Sequence, residues 1–137
     1  MQRINHFAVF LLTLFAQAFH LAWYALWRSA WGSGLLCSQQ EIGAPGPAPF
    51  VSGILASLSI SYFLAWLNLR LEIRTYSAGA RLGAFLWLGL AAPILAAHYA
   101  HMQIGWWTLI VDLGRDMLLL PFSAAILAGW NAGSTRK

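Results

Sequence analysis

Three charged side chains stand close together in an otherwise apolar stretch late in the sequence: Asp112, Arg115 and Asp116. On a helix Arg115 is within reach of Asp112 three residues back, and the two carboxylates sit four apart on the same face. Such a group is either an internal ion network or a relay that takes up protons or a cation. A second polar seam runs through Thr13, Gln17, His20 and Tyr24 at spacings of four, three and four, again one helical face. Ser57, Ser61 and Asn68 repeat it more weakly. His20 lies eight residues before Arg28, and Asp112 lies eight residues after Ile104, so each sits about 12 Å in from the same side. His98 is shallower. The candidate cluster is therefore His20, Tyr24, His98, Asp112, Arg115 and Asp116. A plainer reading stands beside it: Arg115 is neutralised by Asp112 and Asp116, and His20 is a hydrogen-bonded core residue that keeps helices in register.

The elements that carry these residues must be membrane spans. The chain has 137 residues, 60% apolar and only 9% charged, with 8 Trp and a mean hydropathy of +0.64. A soluble domain carries roughly 25% charged residues. Four stretches are long and apolar enough to cross a bilayer, which takes about 20 residues: 7–27, 50–69, 82–100 and 104–130. This predicts an all-α, integral membrane four-helix bundle with short loops, a single domain over 1–137. The proline-rich segment 43–49 is read as non-helical and as the end of the first loop. The second loop is expected at 70–81 and the third at 99–105.

The first three spans contain no Asp, Glu, Lys or Arg. The fourth holds three charges, costing roughly 8 to 10 kcal/mol, against a return of about 5 kcal/mol from its Leu, Ile, Val and Phe side chains. It needs partners for its charges. Arg3, Arg70, Arg74, Arg81, Arg136 and Lys137 fall on one side of a four-span chain, which predicts cytoplasmic N- and C-termini. Trp27, Trp31, Trp106 and Trp107 then form an aromatic belt on the outer face. Gly79 and Gly83 make a small-xxx-small face for close helix packing. Pro93 and Pro121 are expected to kink their spans or to mark places where neighbours repair the backbone. Arg3, the run after Phe7 and Ala16-Gln17-Ala18 resemble a signal peptide, but the apolar run continues to Trp27 as a full span does.

Several functions are excluded or weakly supported. One cysteine, Cys37, makes neither an intramolecular disulfide nor a Cys-x-x-Cys redox pair. The formal charge of +4 is scattered between apolar runs and forms no nucleic-acid face. Haem or metal ligation through His20 and His98 has only two histidines at unequal depth behind it, so no cofactor is expected. No nucleophile elbow, phosphate loop or zinc-protease helix is present, which argues against an enzyme.

Trp23-Tyr24 followed by Trp31, His98-Tyr99, the stretch from Trp107 to Gly114, and the closing segment from Ala125 to Trp130 share their order and spacing with one group. In these residues the chain resembles the bacterial membrane family called domain of unknown function 1761. His98-Tyr99 falls where that family often has Asn-Tyr. It departs from the family at Ala25 to Ala30, where Trp31 is reached sooner, and at Arg115, where the family usually has Tyr. The resemblance implies four helices and Asp112 as a shared polar position, and it implies no activity. The expectation is a multi-pass protein of the bacterial inner membrane. It serves as a structural or accessory subunit that packs with other membrane subunits or with itself through Trp23, Trp27, Trp31, Trp106, Trp107, Trp130 and the Gly79/Gly83 face. The alternative is a small transporter or proton- or ion-handling protein built on the charged cluster.

Overall fold

The computed structural model describes residues 4–35 and 46–133, and the side chains up to Trp130. Cys37, Arg3, Arg136 and Lys137, on which the cysteine and orientation arguments partly rest, lie outside the described residues, as do positions 43–45 of the proline-rich segment. The described chain is all-α. Helix α1 spans His6–Leu26, a short α2 spans Arg28–Gly32, and α3 spans Pro47–Arg70; α4 (Tyr76–Leu86) continues through a π-turn (Trp87–Ala91) into α5 (Ala92–His101), and α6 spans Trp106–Gly133. Three of these rods are long and apolar enough to cross a membrane: His6–Leu26, Pro47–Arg70 and Tyr76–His101. The fourth, α6, is 28 residues long and carries the three charges.

The helix limits have local causes. Asn5 caps α1, its side chain accepting from the Ala8 amide at 3.1 Å, and the helix runs unbroken through Ala16, Gln17 and Ala18. The expectation that 43–49 is non-helical fails at its end. Pro47 opens α3 and Pro49 lies within its first turn, where a missing N–H removes no intrahelical bond. The second loop is also shorter than expected. Thr75 caps α4 by accepting from Ala78 N, so the loop is only Leu71–Thr75 and Arg81 lies on a helix. At the ends of α3 and α5 the chain leaves by the same motif. Glu72 and Gln103 take positive φ of 54° and 55°, while the Ile73 amide reaches the Asn68 carbonyl at 2.8 Å and the Ile104 amide reaches the Tyr99 carbonyl at 3.1 Å.

Pro93 is accommodated by the π-turn: the Ala92 amide bonds the Trp87 carbonyl five residues back, and the proline sits at the start of α5. Pro121 lies inside α6. At one end of the molecule α1, α3 and α6 meet in an apolar core of Ala8, Val9, Leu12, Leu64, Ala65, Ala124 and Leu127. The same end holds the closest helix contact. A Cβ added at Gly79 would stand 2.5 Å from the Ala124 carbonyl oxygen, and one at Gly83 2.5 Å from both the Leu120 carbonyl oxygen and Pro121 Cα. The neighbours are backbone, so they cannot swing aside. Asn68 joins α3 to the same stretch, its Nδ2 donating to the Ala124 carbonyl at 2.9 Å.

This contact is testable by adding carbon. Gly83→Val should lower the thermal midpoint of the protein in detergent by roughly 10 °C, the effect of about 2 to 3 kcal/mol of overpacking. Gly89→Ala, where an added Cβ meets nothing within 4 Å, should leave it unchanged. Equal effects of the two would show that α4 and α6 are not in backbone contact.

Candidate functional site

The end opposite the apolar core is polar, and it is built around one carboxylate. Asp112, on the second turn of α6, is 6% exposed. The Tyr24 hydroxyl of α1 donates to its Oδ1, and the Tyr99 hydroxyl of α5 donates to its Oδ2. Two rods thus cap both oxygens of an acid carried on a third. Phenols suit this duty, because each brings one strong donor on a large apolar ring.

Arg115 extends the network. Its Nε donates to Asp116 Oδ1 at 2.7 Å and its Nη1 to the Tyr24 oxygen at 2.6 Å, and the guanidinium carbon lies 5.7 Å from the centre of the Tyr24 ring. The expected partner, Asp112, is not bonded by Arg115. Its oxygens are already occupied by the two phenols, so the guanidinium divides its donors between the adjacent carboxylate and the shared hydroxyl. His20 stands beside Tyr24 at the edge of the network, ring centres 4.7 Å apart.

The remaining expected residue, His98, is not part of the cluster. It is exposed and meets only the ring of Tyr99, with centres 6.2 Å apart, so Tyr99 replaces it at the site. The sequence reading missed Tyr99 although it had paired His98-Tyr99 with an Asn-Tyr motif in which tyrosine is the shared member. It also missed Trp87, whose Nε1 donates to the Leu113 carbonyl at 3.1 Å. Trp23 does the same to the Val111 carbonyl at 3.0 Å, so two indoles hold the α6 backbone on either side of Asp112.

The tryptophans expected at an outer surface divide into two groups. Trp106 and Trp107 are 77% and 61% exposed, and Trp27 and Trp130 are exposed as well. Trp23 and Trp31 turn inward instead. Trp31 sets its ring edge-on to Tyr24 at 5.2 Å, with its Nε1 buried and unpartnered, while its carbonyl accepts from the Thr108 hydroxyl. The Gly105 amide bonds the Gly34 carbonyl at 2.8 Å, which docks the segment after α2 onto the start of α6. Trp23 gains a carbonyl acceptor on α6 and Trp31 an edge-on ring contact with Tyr24 by turning inward.

Beyond Arg115 and Asp116 the network opens onto a cavity of about 160 Å³, walled by α1, α3, the π-turn and α6 and including Ser57, Ser61 and Ser123. Gln17 donates to Ser57 Oγ at 2.7 Å and fixes that wall. Among the described residues no three His, Cys, Asp or Glu side chains are grouped to hold a metal ion, and none joins His20 to His98. The arrangement can hold positive charge or a proton among oxygens.

The family described as "Protein of unknown function (DUF1761)" matches residues 7–128, and the chain belongs to that family. No curated protein and no solved structure matches the chain.

The exchange of His98 for Tyr99 gives a direct test. Tyr99→Phe removes one of two donors to a buried carboxylate and should destabilise the detergent-solubilised protein by about 1 to 3 kcal/mol. His98→Ala should change its stability by less than about 0.5 kcal/mol, as exposed substitutions do. The reverse order would place the histidine, and not the phenol, on Asp112.

Proposed function

We propose that this DUF1761 protein is a four-span module of the bacterial inner membrane, with both termini cytoplasmic. It serves as a structural or accessory subunit, in a larger membrane complex or with copies of itself, and carries out no catalysis. The observation that carries this reading is the closure of the polar network: both Asp112 oxygens are spent on Tyr24 and Tyr99, rods of the same chain. The Asp112 carboxylate is given its donors internally, and the outward faces are left to apolar neighbours. Among them are Phe85, Leu88, Trp106 and Trp107. A span role for α6 is supported by its 28 residues, about 42 Å of helix, against a hydrocarbon core of about 30 Å. The inward bonding of its three charges supports it too. Arg70, Arg74 and Arg81 cluster about the α3–α4 turn, which supports the cytoplasmic assignment of that end.

The second reading, a small transporter or ion-handling protein using Asp112, Asp116 and His20, is favoured by one specific feature, the cavity beside Asp116. The two readings separate on purification from native membranes in mild detergent. The subunit reading expects stoichiometric partners, or a homo-oligomer, identified by mass spectrometry. A lone monomer would overturn it. The transport reading expects Asp112→Asn to abolish a cation or proton flux in vesicles while the protein stays folded, and an unchanged flux would remove it.

A further inference from the structure

We propose that the cavity beside Arg115 and Asp116 binds a small monovalent cation of the sodium or lithium class. The inference deepens the second reading by supplying a site and a cargo class, and it rests on three separate features of the cavity.

The first is the state of its serines. Ser61 and Ser123 are 3% and 5% exposed, both line the cavity, and neither hydroxyl is bonded to a protein group among the described residues. Hydroxyls on residues this little exposed that bond no protein group are left to bond an occupant of the cavity they line. Water alone would serve the hydroxyls.

The second feature asks for more than water. Asp112, Arg115 and Asp116 sum to a formal charge of −1 on the inner face of α6. Uncompensated charge is costly in apolar surroundings. Asp112 is sealed by Tyr24 and Tyr99, whereas Asp116 engages Arg115 through Oδ1 and itself lines the cavity. Arg115 directs its Nε and Nη1 to Asp116 and Tyr24, so its charge is already counted in that sum. The place where a positive charge completes the balance is therefore the cavity.

The third feature is the donor set. Carboxylate and hydroxyl oxygens are hard ligands, and no sulfur or imidazole lines the space, which disfavours the softer transition metals. One net negative charge is matched by one positive charge. A divalent ion would leave an excess positive charge in the same apolar setting. Ser57, held by Gln17, adds a third hydroxyl oxygen to the wall.

The test is the thermal midpoint of the purified full chain in neutral detergent, measured in chloride salts of sodium, lithium, potassium and choline at equal ionic strength. A ligand that binds only the folded state raises the midpoint in a saturable way. Sodium or lithium should do so relative to choline. Ser61→Ala and Ser123→Ala should each raise the half-saturating concentration at least tenfold, while keeping the midpoint measured in choline. Asp116→Asn should abolish the response. Identical midpoints in all four salts would overturn the proposal, as would a sodium response that survives both serine variants. Sodium stabilisation without vesicle flux keeps the site and removes the transport reading; flux without any salt-dependent midpoint does the opposite.

Discussion

A carboxylate carried into an apolar interior must be given donors there, and that requirement at Asp112 sets the arrangement of the polar half of the molecule. Asp112 is 6% exposed, so its donors come from the chain itself. They come from Tyr24 on α1 and Tyr99 on α5, which fixes the rotation of both rods about α6. The indoles of Trp23 and Trp87 reinforce that setting by bonding the carbonyls of Val111 and Leu113. Arg115 ties the phenol of Tyr24 to Asp116, so the three charges act as one connected group.

The opposite half is held by a different principle. There the contact between α4 and α6 depends on having almost no side chain at all, with Gly79 and Gly83 set against backbone atoms of α6. Close backbone approach gives dispersion contacts that lipid tails cannot match, which is how small residues hold helices together in a bilayer. Asn68 adds one directional bond at the same level, to the Ala124 carbonyl. Helix α6 is thus gripped at its first turns by hydrogen bonds and in its second half by proximity. The π-turn lies between these grips on the rod that supplies both Gly83 and Tyr99.

Much of this was legible in the sequence. Hydropathy predicted four membrane-length rods; three are long and apolar enough to span, two of them near the expected limits and the third beginning six residues earlier, at Tyr76. The spacing of His20 and Tyr24 placed one face of α1 toward Asp112, and the glycine pair pointed to a close contact. The failures have physical causes. His98 lies eleven residues after Trp87, and at about 100° per residue an unbroken α-helix would bring the two onto nearly the same face. The π-turn absorbs one extra residue, so the face that Trp87 presents to α6 is continued by Tyr99. Proline was misread at 47–49 because its cost depends on position in the helix, and in the first turn it has little. The ion pairing was misread because spacing along one helix says nothing of donors arriving from other helices.

The order of the rods along the chain gives the charged helix a place in time. Synthesis runs from the N-terminus, and α6 follows the other described rods along the chain. When Asp112 leaves the ribosome, Tyr24, Trp23, Trp87 and Tyr99 have all been made already. The helix that carries the charges is therefore made after the rods that supply its donors, so that Tyr24 and Tyr99 already exist when Asp112 arrives. In a chain with the same helices in reverse order, the acid would emerge first and wait unsheltered.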